Sequence, residues 1–104
     1  MVISTALFCL ALNIYHEARG EPVLGQYGVA LVTMNRAQAD EKVCKEVFRK
    51  SQFSWTTGVV KTKYGWKIPG HMKPIDQFSW DRAQTIARIT LDGKMIDVTK
   101  GATH

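Results

Sequence analysis

The sequence predicts a mainly α-helical (α+β) domain in which a small β-hairpin or irregular lobe interrupts the helices. Three observations lead to this class. Apolar residues recur with helical spacing through the first half of the chain, glycine and proline cluster between 56 and 74, and helical spacing returns after 76. The 104 residues suffice for one hydrophobic core, so we treat 1–104 as a single domain.

The first helix is expected from about Ser4 to Ala18. Its apolar residues are separated by four, three and four positions, which keeps one face toward a core. These residues are Ile3, Leu7, Leu10 and Ile14. Gly20 can end this helix, and Pro22 suits the first turn of the next one. Further helices are expected at about 23–38, 42–50 and 77–91.

Two of these later helices carry apolar residues that predict which face is buried. The second helix has a broad apolar face, so we expect it to be the buried central helix. That face comprises Leu24, Tyr27, Ala30, Leu31 and Met34. The fourth helix begins after Asp76, a residue type that caps helix N-termini. Its core contacts are expected to be Phe78, Ile86 and Ile89.

Glu17 takes the next position on the apolar stripe of the first helix. A carboxylate that continues an apolar stripe is a local conflict, and such conflicts tend to mark functional sites. We expect partial burial, which disfavours the charged form and suits a general acid that keeps its proton near neutral pH. The alternative is a glutamate at a frayed helix end that points to water.

Glu21 follows Glu17 by four residues, but a glycine and a proline lie beside it. The positive N-terminus of the second helix favours a carboxylate there, which gives Glu21 a sufficient structural role. No other acid is clearly paired with Glu17. Because glycoside hydrolases usually need two carboxylates, this favours a route in which a hydroxyl of the sugar itself attacks. The aromatic residues that could line a sugar groove are Tyr15, Trp55, Tyr64 and Trp66.

The formal net charge is +5, and the basic residues concentrate between 42 and 73, where only Glu46 opposes them. Such a surface favours polyanions, and nucleic acid, anionic lipid and the anionic bacterial wall all qualify. A basic nucleic-acid-binding module is the non-enzyme alternative. We do not expect nucleic acid as the partner, because no nucleic-acid motif is present and the position of Glu17 would stay unexplained.

The cysteines and histidines give weaker signals. Cys9 and Cys44 are too few for a disulfide framework, and we expect Cys9 to be a small buried hydrophobe. A disulfide bridge between these two cysteines is the alternative. The histidines lack the spacing of a zinc-binding helix, so we expect no metal and no other cofactor, although scattered histidines could still form a zinc site. They are His16, His71 and His104.

The stretch from Ile14 to Pro22 reads IYHEARGEP. This motif resembles that of the SleB-like cell wall hydrolase family, which includes spore-cortex-lytic enzymes and phage endolysins, and it carries most of the resemblance. Shorter elements continue it at 25–26, 29–30, 34–36, 43–44 and 52–55, and 83–93 and 101–104 fit more loosely.

The resemblance implies a peptidoglycan-cleaving enzyme with a lysozyme-like fold. It implies a lytic transglycosylase that cuts the MurNAc–GlcNAc β-1,4 bond and leaves a 1,6-anhydro end. The family's catalytic glutamate matches Glu17, which would act as general acid and then as base. A lysozyme-type muramidase and an N-acetylmuramoyl-L-alanine amidase are the alternative activities.

The resemblance also implies roles for the residues around Glu17. The expected substrate contacts, along the glycan strand, are Gln52, Phe53, Ser54, Trp55, Tyr15 and His104. Residues expected to support the motif structurally are Arg19, Glu21 and Asn35. Many relatives have a cysteine directly after the Gln-Phe-aromatic element, where this chain has Thr56 and Thr57, so Cys44 cannot form a bridge there.

The apolar N-terminus bears on where the protein acts. It lacks a basic start and a small-residue cleavage site, so we interpret it as part of the fold rather than a signal peptide. It is also too short to span a bilayer, and we expect a monomer without stable membrane insertion. We therefore expect a phage or prophage endolysin that leaves the host cytoplasm with the help of a holin. A wall enzyme trimmed from a larger extracytoplasmic precursor is the alternative.

Overall fold

The computed structural model describes residues 1–49 and 54–93, and it is mainly helical with a small antiparallel sheet, as predicted. The elements in chain order are β1 (Val2–Ile3), α1 (Ala6–Ala18), α2 (Val23–Ala37), α3 (Val43–Val47), β2 (Val60–Thr62), β3 (Gly65–Lys67) and α4 (Gln77–Leu91). Short 3₁₀ turns cover Asp40–Lys42, Ser54–Thr56 and Gly70–Met72. No helix within the described ranges is long and apolar enough to cross a membrane.

Helix α1, rather than α2, is the central helix. Seven consecutive residues of α1, from Cys9 to Tyr15, are buried, and the helix packs against α2, α3 and α4. Its first turn is capped by Thr5, whose hydroxyl accepts a hydrogen bond from the Phe8 amide at 3.2 Å. The prediction of a central α2 is wrong, because Leu24 on its expected core face is 65% exposed. Apolar content alone therefore did not identify the most buried helix.

The sheet has the strand order β1-β3-β2, with all pairs antiparallel. The hairpin of β2 and β3 agrees with the predicted lobe, but β1 was not predicted, and Ile3 was assigned to the apolar stripe of the first helix. Ile3 instead pairs with Trp66 and is buried from a strand. Gly65 permits this pairing, because it has φ +140° and a Cβ there would lie 2.5 Å from the Ile3 carbonyl oxygen.

A disulfide joins Cys9 of α1 to Cys44 of α3, with a Cα–Cα distance of 5.2 Å. Both residues are buried, so the bond lies inside the core rather than on the surface. The expectation that Cys9 is only a small buried hydrophobe is therefore incomplete. The bridge fixes α3, which precedes the hairpin in the sequence, against the central helix.

Helix α4 begins where it was predicted and packs mainly on α1. The Asp76 carboxylate accepts hydrogen bonds from the amide and the hydroxyl of Ser79, and these bonds lower the pKa of Asp76. Ile86 is buried as expected, but Phe78 is 71% exposed and does not contribute to the core. Its ring instead lies beneath the guanidinium of Arg82, at 5.3 Å.

Candidate active site

Glu17 lies in the last turn of α1, where the helix emerges from the core. Its side chain is exposed, so the expected partial burial is wrong. The stripe that predicted burial begins with Ile3, which belongs to β1 and not to this helix. Glu17 lines a cleft of about 230 Å³ whose opposite wall is α2. The wall residues are Gly28, Val29, Val32, Thr33 and Arg36.

A buried polar pair lies one helical turn before Glu17. The Asn13 side-chain amide donates a hydrogen bond of 2.7 Å to the hydroxyl of Thr33, and both residues are buried. This bond ties α1 to α2 beside the cleft, since Thr33 also lines it. The pair was not predicted, although Asn13 is a polar residue inside an otherwise apolar run, as Glu17 was expected to be.

Tyr15 was expected to contact sugar, and that role stays a prediction, while the structure shows a structural role for its side chain. The side chain is 3% exposed, and its hydroxyl accepts hydrogen bonds from the amides of Ile75 and Asp76 at 3.1 and 3.0 Å. Arg19 also donates to this hydroxyl, and its guanidinium lies 4.9 Å from the ring centroid. Tyr15 therefore ties α1 to the start of α4, and Arg19 is held against it.

The Tyr15→Phe variant is expected to lose about 2 kcal/mol of unfolding free energy. The ring packing stays, while two backbone amides and one guanidinium lose their acceptor. Urea unfolding followed by circular dichroism measures this loss. Peptidoglycan cleavage by the folded variant is expected to stay within about threefold of the wild type. A large rise in KM without loss of stability would instead place Tyr15 at the substrate.

His16 and Trp55 form a stacked pair beside the Glu17 backbone. Their ring centroids are 4.5 Å apart with an interplanar angle of 21°. The His16 Nε2 lies 2.8 Å from the Met72 carbonyl oxygen, which can only accept, so Nε2 carries a proton. Burial is the main cause that lowers the pKa of His16, although this hydrogen bond opposes it. Trp55, an expected substrate contact, is thus anchored next to the Glu17 motif.

The lowered pKa of His16 predicts how stability depends on pH. The unfolded state binds the His16 proton more tightly than the folded state does. The contribution of neutral His16 to the unfolding free energy is therefore complete above the ordinary pKa of 6.5, and it is lost as the pH falls through the pKa of His16 in the folded protein. The difference in unfolding free energy between wild type and His16→Gln is therefore expected to shrink from pH 7.5 to pH 5. Urea titrations at both pH values test this, and parallel pH profiles for the two proteins would contradict it.

The residues expected to support the motif occupy three different places. Glu21 is exposed, and its carboxylate lies over Gly25 in the first turn of α2. The Glu21 carbonyl accepts a 3.0 Å hydrogen bond from the buried Gln26 side chain. The Arg19 carbonyl accepts from Arg82 at 3.4 Å, and Asn35 is partly buried on α2. Their supporting roles remain predictions.

Several predicted substrate contacts lie outside the described residues. These are Gln52, Phe53 and His104, while Ser54 is described only as the first residue of a 3₁₀ turn. Their roles in binding glycan therefore stay predictions. Within 1–49 and 54–93, no three histidine, cysteine, aspartate or glutamate side chains converge as a metal site would require.

The geometry defines a small helical domain with one exposed acid at the rim of a cleft between two helices. A family model described as Cell Wall Hydrolase matches residues 20–104. The chain therefore belongs to the cell wall hydrolase family, which acts on peptidoglycan. The matched segment begins three residues after Glu17, so the match itself does not include the candidate acid. No curated protein and no solved structure matches the chain.

Proposed function

We propose that this protein cleaves the MurNAc–GlcNAc β-1,4 bond of peptidoglycan as a lytic transglycosylase, with Glu17 as general acid and base. The observation that carries the proposal is the isolation of Glu17. Among the residues that line its cleft, all in the described part of the chain, it is the only carboxylate. A reaction that needs one acid fits this cleft better than hydrolysis with two carboxylates.

In the proposed reaction Glu17 first donates its proton to the glycosidic oxygen as the bond to C1 of MurNAc breaks. The resulting carboxylate then takes the proton of the C6 hydroxyl of the same sugar, whose oxygen attacks C1. Glu17 is thereby reprotonated, and no water is consumed. The products are a 1,6-anhydro-MurNAc end and a GlcNAc end with a free 4-hydroxyl.

Because Glu17 is exposed in the free protein, the substrate itself has to exclude water from this carboxyl group. In the free protein, water reaches the carboxyl, so the desolvation expected from the sequence is absent. A glycan strand that covers the cleft excludes water and strengthens the electrostatic interactions within it. Val29 and Val32 offer apolar contact to a sugar ring, and Arg36 offers hydrogen-bond donors to its carbonyl or carboxylate oxygens.

The class of bond cleaved is tested by digesting purified sacculi and identifying the soluble fragments by mass spectrometry. We expect disaccharide-peptides whose MurNAc ends are anhydro. Reducing MurNAc ends would indicate lysozyme-type hydrolysis and would contradict the transglycosylase proposal. Free stem peptides beside intact glycan strands would indicate an amidase and would contradict both the bond and the role of Glu17.

A further inference from the structure

Several basic residues contribute to the lining of two clefts on another part of the surface. The larger, of about 570 Å³, lies between the hairpin and α3 and includes Lys45, Lys61 and Lys63. The second, of about 470 Å³, lies between α3 and the end of α2 and includes Arg36, Lys42 and Arg49. Lys45 and Trp66 line both clefts, so the two are adjacent. We call them together the basic track.

The basic track has a strong excess of positive charge. Six basic side chains line it, namely Arg36, Lys42, Lys45, Arg49, Lys61 and Lys63. Among the described residues that line the track, Glu41 and Glu46 are the only carboxylates, so the lining has a net charge of +4. A concave surface with a strong excess of positive charge concentrates the field and attracts an anionic polymer. Five of the six basic residues belong to the basic stretch between 42 and 73, and Arg36 joins them from α2.

Aromatic rings lie between these charges. The ammonium group of Lys61 lies 5.5 Å from the Trp66 ring centroid, and that of Lys63 lies 5.1 Å from the centroid of Tyr64. Tyr64 is 73% exposed, so its ring is accessible to a ligand. Rings beside lysines suit a polymer that alternates anionic groups with sugar or polyol units.

The basic track leads to the Glu17 cleft. Arg36 lines both the second basic cleft and the cleft that holds Glu17. A polymer bound along the track therefore lies next to the proposed point of cleavage. Because the basic track and the Glu17 cleft are adjacent, a ligand that is attached to the substrate is favoured over one that is unrelated to it.

We propose that the basic track binds a phosphodiester-linked anionic polymer of the bacterial cell wall. The ligand is a wall component because the chain belongs to a cell wall hydrolase family. Phosphodiester groups fit because four of the six basic side chains of the track are lysines, whose compact point charge binds phosphate oxygens well. This inference rests on the family and the clefts, and only the orientation toward Glu17 depends on the proposed reaction.

The test measures binding of the full-length Glu17→Gln protein at 4 °C to Gram-positive cell walls, before and after cold hydrofluoric acid removes phosphodiester-linked polymers. We expect binding to the unextracted walls to be about tenfold tighter and to weaken with added salt. In the Lys61→Gln/Lys63→Gln variant of the same protein, the ratio of affinities for unextracted and extracted walls should fall at least fivefold. The matched control is Lys67→Gln/Arg88→Gln, which removes the same charge. Lys67 follows Trp66 on β3 and points to the other sheet face, and Arg88 is exposed on α4.

Three results would overturn the proposal. One is equal affinity for extracted and unextracted walls, which would mean that phosphate groups are not recognised. Another is an equal loss of preference in the control variant, which would mean that net charge rather than the track binds. The third is displacement by DNA as efficiently as by the released polymer at equal phosphate concentration, which would indicate a nucleic-acid surface. None of these depends on whether Glu17 is catalytic, which fragment analysis decides separately.

Discussion

The Glu17→Gln variant is expected to release soluble peptidoglycan fragments at least 100 times more slowly than the wild type. An amide of nearly the same shape cannot deliver a proton to the glycosidic oxygen, and general acid–base catalysis contributes roughly 10²–10⁴-fold. Because Glu17 is exposed, the substitution should change the unfolding free energy by less than about 0.5 kcal/mol. Turbidity of a sacculus suspension gives the rate, and urea unfolding gives the stability.

Glu21→Gln is the matched control for this variant. It makes the same chemical change four residues away, at an exposed position over the first turn of α2. We expect it to retain activity within about threefold, since a carboxylate near a helix N-terminus contributes only modest stability. Full activity in Glu17→Gln, or an equal loss in both variants, would show that Glu17 is not the acid.

Loss of the Cys9–Cys44 disulfide is expected to lower the unfolding free energy by roughly 3–4 kcal/mol, on the chain-entropy estimate for a loop of this size. The bridge spans 35 residues that include all of α2. Domains of this size are stable by only about 5–15 kcal/mol, so the loss is a large fraction of the total. The Cys9→Ala/Cys44→Ala variant, compared with wild type by urea unfolding, measures it.

Reduced wild-type protein separates the cross-link from the sulfur atoms, because it keeps both side chains and breaks only the bond. Most of the destabilisation should appear in this form too. Equal denaturation midpoints for oxidised and reduced wild type would contradict the expected contribution of the bridge.

Helix ends were the most predictable part of the fold, because they depend on local chemistry. Asp76 caps α4 through its own carboxylate, and a glycine and a proline separate α1 from α2. Strand β1 could not be predicted in this way. It has two residues, too few for any period, and it exists only because β3 lies beside it.

The burial of a residue was harder to predict than its secondary structure, because burial depends on how the helices pack against one another in three dimensions. Helices α1 and α2 each contact the other three helices, but seven consecutive residues of α1 are buried, whereas Leu24 at the start of α2 stays exposed. The burial of Glu17 was wrongly predicted for the same reason. The apolar stripe of α1 faces the core, but Glu17 lies in the last turn, where the helix leaves the core. Asn13 was the more informative anomaly, since its partner Thr33 lies 20 residues away and only the fold brings them together.

The candidate site was therefore predicted in part. The sequence motif pointed to Glu17, and the structure adds the α2 wall of its cleft with Thr33 and Arg36. Thr33 showed no local signal, because a threonine on an amphipathic helix is common, and Arg36 belonged to the 34–36 element of the resemblance without a predicted role. The aromatic partner Trp55 was expected near the motif, but its stacking on His16 required the tertiary structure.

The central claim is that Glu17 transfers one proton in each direction while a sugar hydroxyl, and not water, attacks. The most direct measurement is digestion of sacculi in water enriched in ¹⁸O, followed by mass spectrometry of the new glycan ends. We expect 1,6-anhydro ends that carry no ¹⁸O. Reducing MurNAc ends with one ¹⁸O atom each would contradict the claim, because they would show that water is the nucleophile.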